Sequence, residues 1–251
     1  MVIMDWGIGG LSVYKAVREL MPELSILYFS DAGVTPYGKL SARQLDERIF
    51  KLILRFSQQN IRHFVVACNA ASTALPRLEK RFAEHNFFVT GVIDRGVELI
   101  HSSDCRNVGV IGGKRTILSK SFTRPFIKDK KIRVFGRVAQ PLSALIEAGQ
   151  LNTDKMRTTL KRILAPLKSC DAVVLACTHY PAIAEQIQKI LPNARLLDPS
   201  MSTALFVQKN WKFTKRKTAK QIFMTSGSRS QMIKSASLAF DVQIKKLEAY
   251  Y

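Results

Sequence analysis

An α/β fold with largely parallel sheets is predicted by three features of the 251-residue chain. Short apolar runs bounded by turn residues recur along its length. Amphipathic stretches of helical period lie between them. One pattern, an apolar strand ending in Ala-Cys and followed by a helix, occurs twice, about one small domain apart. Strands alternating with helices of this length build parallel sheets covered by helices.

The elements follow in order. Val2, Ile3 and Met4 form an apolar run (2–4) that ends at Asp5 and a glycine-rich turn. A helix over 11–20 opens after Gly10 and stops before Pro22. A second strand covers 26–29. A helix over 41–60 takes Ser41 as its N-cap and spaces Leu45, Ile49, Leu52 and Phe56 along one face. Further strands are expected at 64–67, 87–92, 108–111, 132–138, 172–176, 195–197 and 221–224. Further helices are expected at 72–85, 141–149, 154–167, 182–191 and 228–249. The sequence Val65-Val66-Ala67-Cys68-Asn69-Ala70 is echoed by Val174-Leu175-Ala176-Cys177-Thr178-His179. Two similar α/β units follow, each with a cysteine at the carboxyl end of a strand, the edge where open α/β sheets bind ligands. A cleft between the units would let both sulfurs face one ligand.

Composition narrows the class. An apolar fraction of 47% fills a real core. No apolar run approaches the roughly 20 residues that span a bilayer. The start, Met1 to Gly7, lacks the basic and apolar stretches of a signal peptide. A cytoplasmic protein without membrane association is therefore expected. Four cysteines without a CxxC pair argue against a disulfide scaffold or a zinc site. The net charge is +20, with nine Lys/Arg against Asp129 alone in 114–137 and six against none in 209–220. Such runs are solvated faces or, alternatively, contacts for nucleic acid.

The chemistry centres on Cys68 and Cys177. Polar Asn69 and Ser72 stand at the helix entrance after Cys68, and Thr178 and His179 follow Cys177. Free N–H groups at a helix start stabilise a thiolate, and a neighbouring histidine can orient or exchange a proton. Cys105 and Cys170 precede strands at their amino ends, so both are expected to be structural. Asp5 precedes Gly7-Ile8-Gly9-Gly10, which lacks the last glycine of a dinucleotide fingerprint. A carboxylate or other small anion suits that turn better than a nucleotide. Asp31 and Pro36-Tyr37-Gly38 follow the second strand, where Tyr37 serves either packing or a ligand. Glu147, read from its position alone, is exposed. Two opposed thiols could invert a carbon acid beside a carboxylate: one thiolate takes the α-proton, and the other thiol returns one to the opposite face. Neither metal nor cofactor is needed.

Several motifs, in this order, resemble the glutamate racemases of the aspartate/glutamate racemase superfamily. They are Asp5-Trp6-Gly7-Ile8-Gly9-Gly10-Leu11-Ser12, Asp31 with Pro36-Tyr37-Gly38, Ala67-Cys68-Asn69-Ala70-Ala71-Ser72, Gly109-Val110-Ile111-Gly112 with Thr116, Pro141 through Glu147 to Gly149, Cys177-Thr178-His179-Tyr180-Pro181, and Phe223-Met224-Thr225-Ser226-Gly227. The resemblance implies two pseudo-twofold-related domains, 1–91 plus 205–251 and 92–204, with the active site between them. It implies cofactor-independent interconversion of L- and D-glutamate for peptidoglycan, and a homodimer is a possible assembly. Carried over by position, Cys68 and Cys177 are the acid/base pair, assisted by Asp5, His179 and Glu147, with Asp31 as a further candidate. Asp5, Trp6, Pro36, Tyr37, Gly38, Asn69, Ala70, Thr116, Thr178 and His179 line the substrate pocket. Trp6, Ala70 and Gly113 depart from the family's Ser, Thr and Thr, so three hydroxyl donors are missing, which leaves a racemase of another small amino acid as the alternative. A racemase-like scaffold that binds polyanions is the second alternative.

Overall fold

The computed structural model describes residues 1–213 and 218–250. In chain order its strands are β1 (Val2–Asp5), β2 (Ile26–Ser30), β3 (His63–Val66), β4 (Phe88–Gly91), β5 (Asn107–Gly112), β6 (Arg133–Val138), β7 (Ala172–Ala176), β8 (Arg195–Leu197), β9 (Gln221–Thr225) and β10 (Leu247–Ala249). Its helices are α1 (Leu11–Leu20), α2 (Ala42–Ser57), α3 (Asn69–Ser72), α4 (Leu75–Glu84), α5 (Ile93–His101), α6 (Lys114–Leu118), α7 (Gln140–Glu147), α8 (Asp154–Leu164), α9 (Ala184–Ile190), α10 (Pro199–Asn210) and α11 (Arg229–Phe240).

The strands form two sheets, ordered β10-β9-β2-β1-β3-β4 and β6-β5-β7-β8. Every pairing is parallel. The order β2-β1-β3-β4 is repeated by β6-β5-β7-β8, so β3 and β7 hold equivalent places. The echo in sequence is therefore an echo in topology. Alternation decides which residues cover which face. Val2, Met4, Phe64 and Val66 point under α2 and α4, against Leu45, Ile49, Phe56 and Leu78. Val108, Val110 and Val174 meet Ile93, Ile100, Phe122 and Phe126. The remaining faces share one core: Ile3, Tyr28 and Val65 of the first sheet and Val173 and Leu175 of the second belong to a single apolar cluster, with Ile8, Leu142, Ile146 and Tyr180 among its members.

Local chemistry accounts for the helix ends. A reciprocal Ser41–Gln44 capping box starts α2. Side chains of Thr153, Asp198 and Ser228 cap α8, α10 and α11.

Several elements correct the sequence reading. The helix expected over 228–249 ends at Phe240. Asp241 adopts a left-handed conformation (φ 53°) that terminates it, a geometry short polar side chains tolerate. The chain then returns as β10 along β9, burying Leu247 in the shared core. The helix expected over 72–85 is two: α3 starts three residues early, and α4 carries Pro76 in its first turn, where a missing N–H costs nothing. Helices α5, α6 and α10 were not among the expected elements. The division expected between 204 and 205 falls inside α10, which packs on both α1 and α5.

Candidate active site

The first half of the site grows from the carboxyl ends of β1 and β3. Their register pairs Met4 with Val66, and the Ala67 N–H donates to the Met4 carbonyl (2.8 Å). Asp5 and Cys68 thus leave adjacent strands side by side. Asp5 is 1% exposed. Its Oδ1 accepts from the Trp6 N–H (2.7 Å) and its Oδ2 from the Gly10 N–H (2.6 Å). Burial lifts its carboxyl above the usual range, although the nearby His179 charge, the Cys68 thiol and these N–H groups all pull it down. Cys68 lies just before α3, where the Ala71 N–H points at its sulfur. Burial, then the Asp5 carboxylate, push this thiol well above its ordinary value, which holds it protonated.

The second half stands on β7. Cys177 follows its last residue, and a 3₁₀ turn over Tyr180–Ile183 comes next. His179 Nδ1 lies 3.7 Å from Cys177 Sγ, and its Nε2 lies 2.6 Å from Glu147 Oε2. Burial alone lowers the imidazole pKa, but the sulfur and the carboxylate more than offset it, and the net is well above the ordinary histidine value. His179 is thus held between a carboxylate and a sulfur, both of which favour its protonated form. The Tyr180 hydroxyl donates to the Ala139 carbonyl (2.8 Å) and lies against Cys177.

The two halves interlock. Thr178 Oγ1 donates to Asp5 Oδ2 (3.3 Å), and the Ile8 N–H donates to Glu147 Oε2 (3.1 Å). The glycines of the turn make this approach possible. A Cβ on Gly7 would stand 2.3 Å from Glu147 Oε2, and one on Gly9 would stand 2.4 Å from His179 Nδ1. Tyr28 fixes the same turn through its hydroxyl, which donates to the Gly7 carbonyl (2.8 Å). Sequence reading passed over Tyr28, because an aromatic residue inside an apolar strand carries no signal of a polar task; Tyr180 stood within a quoted motif but was given no role. The exposed position read for Glu147 is corrected: its carboxylate is mostly buried against His179.

The candidate substrate residues divide. Asn69 is 3% exposed, and neither its Oδ1 nor its Nδ2 has a partner among the described residues. A buried amide beside Cys68 with no protein partner is placed to bond a polar ligand or an ordered water. Tyr37 is buried, with its hydroxyl on Asp31 Oδ2 (2.7 Å) and its carbonyl accepting from Arg115 Nε (3.0 Å). Asp31 also takes a bidentate pair from Arg48 and a bond from Ser226 Oγ. It is saturated, and it orients Tyr37 instead of facing a ligand. Pro36 and Gly38 flank Tyr37, and Arg115 ties this loop to α6 through Tyr37 and Leu40. Thr116 is buried on α6, which packs across from α3.

The departures have local accounts. Trp6 sends Nε1 to the Val34 carbonyl (3.0 Å) and packs with Val34, Cys68 and Ala70 in one apolar cluster. Gln140 Oε1 lies 2.9 Å from where a Cβ on Gly113 would stand, and it accepts from the Lys114 N–H (3.1 Å). The amide of Gln140 thus occupies the space a larger residue at 113 would need. Cys170 is buried and Cys105 half-buried at the opposite strand ends, and all four cysteines are free. Most of 114–137 is exposed, while 214–217 of the other basic run lie outside the described residues. Among the described residues no helix is long and apolar enough to cross a membrane.

The relatives of this two-sheet chain make it a racemase that does not use PLP. The chain belongs to the Asp/Glu/Hydantoin racemase family, whose sequence pattern matches residues 2–205. It is 31% identical to the glutamate racemase of Persephonella marina over 98% of this chain and 96% of that one. The glutamate racemase of Thermoanaerobacter sp. is 31% identical over 98% and 94%. Among solved structures, the glutamate racemase isoform RacE1 of Bacillus anthracis superposes with a TM-score of 0.88 at 27% identity, covering 100% of this chain and 96% of that one. The Francisella tularensis glutamate racemase in complex with D-glutamate gives 0.88 at 26%, with the same coverage.

Proposed function

We propose that this chain interconverts L- and D-glutamate without a cofactor and so supplies D-glutamate for peptidoglycan. The observation that carries the reading is the hydrogen-bonded closure of the two half-sites on one glycine turn, through Thr178 to Asp5 and Ile8 to Glu147. In this reading a thiolate on one face breaks the Cα–H bond and keeps the proton as S–H. The electron pair stays on the substrate as an enediolate-like carbanion. The opposing thiol then donates its proton to the other face. The enzyme is left with its two sulfurs exchanged in charge, ready for the opposite enantiomer. Asn69, Thr178 and the Gly7–Gly10 turn hold the amino acid, and the imidazolium of His179 balances negative charge beside Cys177. In this reading the two bodies that enclose it are 1–91 plus 205–251 and 92–204, with α10 as the element that the second boundary crosses.

The test is α-proton exchange of L- and D-glutamate in D₂O, run beside a panel of other small amino acids. Glutamate is expected to exchange fastest. No exchange with the intact protein, or unchanged exchange in Cys68→Ala, refutes the reading. Faster exchange of another amino acid moves the substrate and keeps the chemistry. A cytoplasmic location, a homodimer and a nucleic-acid contact through the basic runs belong to this proposal as well. Fractionation, sedimentation and salt-dependent binding check them in turn.

A further inference from the structure

Three short elements meet beside Cys68: a 3₁₀ turn over Tyr37–Lys39, α3 and α6. The turn follows β2 of the first sheet, and α6 follows β5 of the second. The three carry Tyr37, Asn69 and Thr116, which the sequence places around the substrate. Among the described residues, the side-chain hydrogen bonds between α6 and the turn come from Arg115.

Arg115 aims its planar fork at backbone. Nε donates to the Tyr37 carbonyl (3.0 Å) and Nη2 to the Leu40 carbonyl. Tyr37 opens the turn and Leu40 ends it, so one rigid group fixes both limits of the turn at once. Arg115 forms no ion pair among the described residues. Asp46, the acid whose charge reaches it, is taken by Arg77 through two bonds (2.7 and 2.6 Å). The other end of Tyr37 is also tied: its hydroxyl donates to the buried Asp31 (2.7 Å), which Arg48 grips in turn. Tyr37 is thus clamped at its hydroxyl from its own sheet and at its carbonyl from the other. Next to this clamp, on α3, stands the unpartnered buried amide of Asn69.

We propose that Arg115 is a positioning residue: it holds the Tyr37 turn and α3 against α6 and so sets how tightly the amino acid is retained, a role that rests on the racemase reading for its ligand. Loss of this clasp loosens the rim of the pocket and leaves Cys68, Cys177, Asp5 and His179 on their own supports. Ground state and transition state then lose binding together, so KM rises while kcat is kept.

Steady-state racemisation of glutamate and amide hydrogen exchange over residues 36–41 test it, in the intact protein and in Arg115→Ala and Arg115→Lys. Arg115→Ala is expected to raise KM about tenfold or more with kcat held within about twofold. It is also expected to speed exchange of the Lys39 amide, which donates to the Pro36 carbonyl (2.8 Å), by roughly tenfold. Arg115→Lys, whose point charge reaches one carbonyl at a time, is expected to fall between the two. Thermal melts verify the fold of both variants. Unchanged KM in folded Arg115→Ala overturns the proposal, as does a loss confined to kcat or an unchanged Lys39 amide. An intact protein that does not racemise glutamate refutes the racemase reading instead, and the clasp then stands or falls by the amide exchange alone.

Discussion

The Cys68 and Cys177 half-sites occupy equivalent strand ends in two sheets of the same strand order, yet they meet different partners. Cys68 faces a buried carboxylate, Asp5, at the end of β1. The matching end of β5 carries Gly112 and Gly113, with no acid, and Cys177 instead faces His179, backed by Glu147. Repetition of a fold thus supplies two sulfurs with the same placement, and the residues around them make the two surroundings unequal: burial and the Asp5 carboxylate raise the Cys68 thiol, while Cys177 meets His179.

Removing Asp5 should erode the inequality most. Asp5→Asn is expected to slow racemisation roughly 10²–10⁴-fold. It is also expected to speed alkylation of Cys68 by iodoacetamide at fixed pH, because the carboxylate that raises its pKa is gone. Unchanged alkylation would show that burial alone protects Cys68.

Glu147→Gln tests the other side, with an expected loss near 10²-fold. An imidazole whose folded pKa stands above its unfolded value of ~6.5 stabilises the protein fully below that pH. That contribution is lost as pH rises through the folded value. Glu147 raises the folded value, so the variant should lose this part of its stability at a lower pH, visible in melting temperatures across the alkaline range. The alkaline limb of its rate profile should move the same way.

Gly7→Ala probes the joint between the halves. The added methyl meets the Glu147 carboxylate, and a rate loss of roughly tenfold is expected from misplacement of the dyad. Equal activity would mean that Glu147 shifts without consequence. The smallest effect is expected for Trp6→Phe, which removes the Nε1 bond to Val34 at about 0.5–1.5 kcal/mol of stability while leaving exchange nearly intact. A large change in the Michaelis constant would instead make Trp6 a contact of the substrate.

Much of this inequality was legible in the chain before its structure. Cys68 and Cys177 stood out because an apolar strand followed by Ala-Cys occurs twice, and strand ends are where parallel sheets do chemistry. His179 was readable from adjacency to Cys177, whereas Asp5, 63 residues before Cys68, stood out through its glycine turn and the resemblance. Glu147 was not readable by itself: helix position gave an exposed carboxylate, and only packing of α7 against the Gly7 turn buries it. Asp31, a further candidate through the resemblance alone, is taken up by partners that sequence distance hides: Arg48, 17 residues on in α2, with Tyr37 and Ser226. The terminal strand β10 was missed because its three residues pair with β9, and a pairing so short leaves no period to read. Helix α10 was overlooked because its own apolar residues lie on several faces, with Met201 and Leu205 exposed and Ala204 and Val207 buried, so no single stripe marks it.

The glycine turn has one more consequence. Gly7 and Gly9 act as empty sockets, and the groups that fill them belong to the opposite body. The seating of one body on the other is therefore gauged by the absence of two methyl groups, and a single added carbon at either position would hold the halves apart.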